Sequence, residues 1–135
     1  MKRFVPRLFV LSAAIAMSAC SRTVKLELPS DMSVTLTTEH ENPGTSIVEP
    51  SEVTLPPNTP EHRRLQKWIA ENQRGWSQAF AADPPGGIIV HAGKLHLHFF
   101  EGGVSTPVPD GIVQKTVRKE DYAYLEEVAP HLTNR

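Results

Sequence analysis

The chain has 135 residues, with 14 Lys and Arg against 15 Asp and Glu, a net charge of −1, 12 Pro and one Cys. A single cysteine excludes an internal disulfide, and the near-neutral balance excludes a nucleic-acid binder held by bulk positive charge. The length suits one domain with short appendages.

The chain opens with the basic residues Lys2, Arg3 and Arg7 and has no acidic residue before Glu27. Leu8 to Ala19 is apolar except for Ser12 and Ser18. A run of about 12 residues cannot cross a bilayer core, which needs roughly 20. A basic start, a short apolar run and small residues at its end read as a secretory signal peptide. The segment closes Met17-Ser18-Ala19-Cys20. That resembles the signal of bacterial lipoproteins, with Met17 where the family prefers Leu. The resemblance implies cleavage before Cys20, a diacylated sulfur, and a further acyl chain on the new N-terminal amine. It implies a lipid anchor facing the periplasm, and Ser21 in place of Asp points to the outer membrane. One acyl chain binds a membrane only marginally, at about 0.8 kcal/mol per buried methylene, whereas two or three hold it stably. Lipid attachment also accounts for a lone thiol in an exported chain.

Residues 1–19 hold three of the basic residues and none of the acidic ones, so the remaining 116 residues carry −4. That charge argues against nucleic acid and against holding an anionic membrane through a basic patch. Residues 26–62 contain seven acidic side chains and no Lys or Arg. They read as a solvated acidic stalk or, more sharply, as a surface for a basic partner or divalent cations.

Val24, Leu26 and Leu28 alternate with polar residues, and so do Met32, Val34 and Leu36 beyond Pro29-Ser30-Asp31. Period-two alternation across a turn predicts a β-hairpin over residues 22–37. Glu39–Thr59 is rich in Pro, Ser, Thr and Glu and reads as an extended linker, with Glu52–Leu55 as a short edge strand. A helix then begins after the capping residue Thr59, with Pro60 at its first position and Glu61 at its positive end. Leu65, Trp68 and Ile69 share its inward face, Trp76 follows, and Gly75 reads as the stop. Ser77–Gly87 reads as loop, and Gly86-Gly87 lacks the Lys-Ser/Thr of a phosphate-binding loop.

Ile88–His91 and Lys94–Phe100 read as a hairpin about Ala92-Gly93, pairing His91 with Lys94 and Val90 with Leu95. Ile88, Val90, Leu95, Leu97 and Phe99 then face the core. Val104–Val108 predicts a third strand, limited by Pro107 and Pro109 to an edge or a short span. A fourth strand follows Asp110-Gly111, and a short helix starts near Lys119, with Tyr122, Leu125 and Val128 inward and Pro130 at its end. The predicted fold class is α+β: an antiparallel meander of about four to six strands, packed with one main helix and one short C-terminal helix. The expected division is a cleaved signal at 1–19, a lipidated N-terminus with hairpin and acidic linker at 20–59, and a globular domain at 60–135.

His91, His96 and His98 fall on one face of one hairpin. Cross-strand neighbours lie about 5 Å apart, and neutral imidazoles so spaced are candidate ligands for Zn²⁺ or Cu²⁺. Lys94 on that face opposes a cation, and the plainer reading is a solvent-side polar row. There is no Gly-x-Ser-x-Gly and no His-Glu-x-x-His, so neither catalytic residues nor a cofactor are expected. Ser77, Ser105 and Asp110 have no spacing that supports a triad. The expected function is a non-enzymatic envelope lipoprotein, anchored through Cys20, that binds a protein partner in the periplasm. The alternatives are an immunity or inhibitor lipoprotein against a periplasm-acting toxin or hydrolase, and a His-mediated metal-binding lipoprotein.

Overall fold

The computed structural model describes residues 21–41, 44, 48–79 and 86–133. The leader and Cys20 lie outside them. The elements in chain order are β1 (Val34–Glu41), β2 (Val48–Leu55), α1 (Pro60–Glu71), β3 (Ser77–Gln78), β4 (Ile88–Ala92), β5 (Leu95–Phe100), β6 (Gly103–Val108), β7 (Gly111–Thr116), a 3-10 turn (Lys119–Asp121) and α2 (Ala123–Thr133). The seven strands form one sheet in the order β2-β1-β4-β5-β6-β7-β3, and every pairing is antiparallel. The class is α+β, and the sheet is slightly larger than the sequence predicts. The extra strand is β3, which falls in the expected loop; Ser77 pairs with Gln114 and Gln78 with Val113.

β2 and β3 stand at opposite edges of the sheet, and α1 connects them. Seven strands at about 4.8 Å spacing make a sheet nearly 29 Å across. A 12-residue helix covers about 18 Å of that. The helix must therefore cross the sheet face, and its apolar stripe becomes one side of the core. His62, Leu65, Trp68 and Ile69 are its buried residues, at the three- and four-residue spacing of one helix face. Trp68 meets Phe99 edge-on at 5.0 Å, and Phe99 stacks on Tyr122 at 5.3 Å. Leu125 and Ala129 of α2 join the same core cluster as Leu65, Trp68 and Ile69 of α1, so both helices pack on one face of the sheet.

The start of α1 is built as the sequence predicts. Thr59 is the N-cap, and its hydroxyl oxygen accepts from the His62 N–H at 3.2 Å while donating to the Pro56 carbonyl. Thr59→Ala is expected to lower stability by about 1 kcal/mol, read as a lower urea midpoint; an unchanged midpoint would show the cap to be idle. The helix end differs from expectation. Asn72 is the C-cap, and the left-handed Gly75 (φ 83) turns the chain into Trp76 instead.

Residues 22–28 do not pair with the strand after them. Val34, Leu36, Leu26 and Leu28 are buried as the alternation predicts, but Arg22–Leu28 is an extended strap that bonds elsewhere. Within the Pro-rich stretch expected to be a linker, residues 39–41 and 48–55 belong to the paired strands β1 and β2, whose Val53 and Leu55 join the core. The predicted edge strand at Glu52–Leu55 is the end of β2. Residues 22–55 and 60–129 therefore contribute to the same core, and the expected boundary at 59/60 does not divide it. Pro50 is compatible with β2 because, among the described residues, this strand is at the edge of the sheet, where a proline is tolerated.

The β4–β5 turn lies one position beyond the expected one. Its central residues are Gly93 and Lys94, and the pairs are Ala92 with Leu95, His91 with His96 and Val90 with Leu97. Gly93 at φ 59 takes the first central position, where a two-residue turn of the II′ type places glycine. The other register would put Ala92 there. The register moves by two residues, and an even shift leaves the faces unchanged, so Ile88, Val90, Leu95, Leu97 and Phe99 are all buried as predicted. β6 is an inner strand and not an edge. α2 runs through Pro130 to Thr133; a proline there removes one N–H, whose intrahelical partner would be the Glu126 carbonyl, and the helix continues past it.

Candidate functional site

The β6–β7 ladder runs as far as Val108 with Gly111, but the β5–β6 ladder stops at His98 with Ser105. Pro107 has no N–H with which to continue it. Past that point the Thr106 hydroxyl, donating to the His96 carbonyl at 2.6 Å, still links the two strands. The start of β5 and the end of β6 part, and a cleft of about 710 Å³ opens between them. The strap of residues 22–28 forms its other wall.

The strap is fixed by partners far along the chain. Arg22 and Trp76 exchange both backbone hydrogen bonds, and Val24 donates to the Gln73 carbonyl. The Gln73 side-chain amide accepts from the Leu26 N–H at 2.8 Å and donates to the Leu26 carbonyl at 2.9 Å. Gln66 donates to the Leu28 carbonyl. A side-chain amide thus serves one strap residue as a neighbouring strand would, and the strap needs no ladder of its own. Trp76 beneath it is fully buried, and its indole N–H donates to the Asn72 carbonyl at 2.7 Å.

The chain between the strap and β1 rests on His62, a residue not among the expected site residues. His62 is fully buried, and its Nε2 lies 2.7 Å from the Met32 carbonyl. That carbonyl only accepts, so Nε2 is the donor. The signal was available: His62 stands three residues before Leu65 on the apolar stripe.

Arg22 reaches from the strap to Asp110 in the β6–β7 turn and closes one end of the cleft. Its hydrogen bond holds the Asp110 carboxyl below the usual carboxylate range, and the same bond raises Arg22. Because Asp110 is depressed in the folded state, the bridge stabilises the strap at and above the ordinary carboxylate range. It is lost as the pH falls through the depressed value. Amide exchange at Arg22 and Trp76, corrected for the intrinsic rate, is expected to accelerate on that acidification. Asp110→Asn should show the faster exchange already at neutral pH; exchange equal to that of the unsubstituted protein would contradict the bridge.

Val24, Leu26, Leu95 and Val108 give the cleft apolar wall, and Lys25, Glu27, Lys94 and Thr106 give it polar groups. Its two acids are both paired, Glu27 with Lys25 at 3.3 Å and Asp110 with Arg22. The Arg22 Nη1 is shielded and has no hydrogen-bond partner among the described residues.

The predicted histidine row exists on the outer face of the sheet. His91 and His96 are directly opposite, with ring centroids 6.1 Å apart. His98 is turned to other work: its Nε2 lies 2.8 Å from the Gly86 carbonyl and its ring meets Phe100 edge-on at 5.5 Å. Among the described residues, no three His, Cys, Asp or Glu side chains stand where they could hold a metal ion. His91, His96 and His98 therefore share a face without forming a three-ligand site. Ser105 is buried within the sheet and Ser77 is exposed on β3, so these and Asp110 are not assembled either. Cys20 lies outside the described residues. No protein-family model, curated protein or solved structure matches the chain.

Proposed function

We propose that this protein is a membrane-anchored lipoprotein of the cell envelope, held in the outer membrane by lipid on Cys20 and facing the periplasm. It performs no chemistry of its own, and its folded part receives an extended segment of a protein partner in the cleft beneath the strap. The sequence Met17-Ser18-Ala19-Cys20 supports the anchor. The partner reading is carried by the cleft. It lies where two strands part, and its walls mix apolar side chains with the polar groups of Lys25, Glu27, Lys94 and Thr106. Strand-like peptides use such openings, with backbone groups supplying affinity and alternate side chains supplying selectivity.

Cys20→Ala is expected to move the protein from the membrane to the soluble periplasmic fraction; continued membrane fractionation would sink the anchor. For the partner, a photo-reactive residue placed at Val108, in the cleft, should give a defined cross-linked species in living cells. The same residue at the exposed Thr54 on β2 should not. Identical patterns from the two positions, or none from either, would refute the cleft as the binding site.

A further inference from the structure

The strap brings the start of the folded protein within two residues of Cys20. Arg22 is already bonded to Trp76 through both backbone groups, so at most about 7 Å of chain separates Cys20 from a fixed point of the fold. The headgroup layer of one leaflet is itself roughly 5–7 Å thick. The acidic stalk expected from composition does not intervene, because its residues are β1 and β2. On the reading that Cys20 carries lipid, the folded protein therefore has no spacer.

The edge that meets the membrane is then set by where Arg22 sits. It lies outside β3, at one margin of the sheet, while β2 is the other margin. Charge is divided along the same axis. Residues 34–55, which hold β1 and β2, contain Glu39, Glu41, Glu49 and Glu52 and no Lys or Arg. At the β3 margin Arg22 and Asp110 neutralise one another. Arg74 and Lys115 remain, with the Lys115 ammonium donating to the Arg74 carbonyl. Ile112, the exposed large hydrophobic residue of the described chain at 47 % exposure, lies on the adjoining strand, and its carbonyl accepts from Ala79. A net charge of −4 thus conceals two basic residues near the anchor and, by sequence, an excess of acid in residues 34–55.

We infer that the β3 margin, with Arg74, Lys115 and Ile112, is seated against the anionic headgroups of the bilayer that holds Cys20. The lipid supplies the attachment; the margin orients the protein. Basic side chains near an anionic surface are drawn to it, and on a tethered chain that attraction chooses an orientation. The acidic β1–β2 hairpin points away from the membrane.

The lone cysteine makes the test direct, since a lipidated Cys20 leaves any introduced cysteine as the one free thiol. The full lipidated protein carrying Ser77→Cys, Ile112→Cys or Glu52→Cys is labelled with a fluorophore and reconstituted into vesicles of phosphatidylethanolamine and phosphatidylglycerol containing a headgroup-borne quencher. Quenching at positions 77 and 112 is expected to be several-fold stronger than at 52. Adding Arg74→Glu with Lys115→Glu should reduce that difference. So should about ten Gly/Ser residues between Ser21 and Arg22, which add roughly 17 Å of reach. Vesicle-bound protein quenched equally at all three positions would overturn the seating while leaving the anchor intact. A difference untouched by the charge reversal would overturn the headgroup contact. Protein that does not float with the vesicles would overturn the anchor and the seating together.

Discussion

Replacing Trp76 with Ala is expected to lower the stability of the fold by about 3–5 kcal/mol, the range for removing a large aromatic side chain from a core. Trp76 is the largest fully buried side chain among the described residues. It stands where three parts of the molecule meet: the end of α1, the strap and β3. Its indole N–H caps the Asn72 carbonyl just past the helix, and its backbone holds Arg22. Neither the strap nor the margin strand can close over the resulting cavity without giving up those bonds. A small domain has about 5–15 kcal/mol in total, so the variant is expected to be partly unfolded near 37 °C. Trp76→Phe should be milder, with about 1–3 kcal/mol coming from the Asn72 carbonyl left without its donor. Urea denaturation of the three proteins checks this. A loss within about 1 kcal/mol for Trp76→Ala would mean that the site collapses freely, and that the strap is not held from beneath.

Gly87→Ala is the second large loss expected, and it arises from the backbone. Gly87 has φ 81, and a Cβ built there falls 1.9 Å from the Phe99 carbonyl oxygen. A left-handed non-glycine residue alone costs about 1–3 kcal/mol. The collision adds to this, because the obstacle is the backbone of β5 at the pair Ile88 with Phe99, and Phe99 is the residue on which Trp68 and Tyr122 both pack. Gly102 offers the control. It has φ 87, but a Cβ there meets nothing within 4 Å. Gly102→Ala should show the conformational cost by itself, and Gly87→Ala should exceed it clearly in thermal or urea midpoint. Equal losses would mean that the β4–β5 end yields without penalty.

The parts of this fold that sequence reveals are those decided by neighbours a few residues apart. Thr59, Pro60 and Glu61 mark the start of α1, and Leu65, Trp68 and Ile69 mark its inward face. The alternation from Ile88 to Phe99 marks the core face of a hairpin even though its turn falls one position later than the local pattern suggests, since an even shift in register preserves the faces. Local pattern misleads where distant partners decide. Val24, Leu26 and Leu28 alternate like a strand, yet their backbone groups are met by Gln73 and Trp76, with Gln73 lying 47 positions from Leu26. Pro50 and the glutamates of residues 39–52 look like a linker, yet Pro50 lies in an edge strand, where a proline is tolerated.

The cleft was illegible for the same reason. It exists because Pro107 ends one ladder while the next continues, and because a strap from the other end of the chain covers the gap. The histidine row was legible as a row. Its failure to gather into a three-ligand site follows from the tertiary partner of His98, the Gly86 carbonyl.

The anchor is the claim on which the account turns, and intact mass spectrometry of the protein extracted from its own membranes tests it most directly. The predicted species begins at Cys20, has lost residues 1–19, and carries the added mass of a diacylglyceryl group with a further acyl chain. A chain that retains the leader, or that begins elsewhere, or that carries Cys20 as a free thiol, would contradict it.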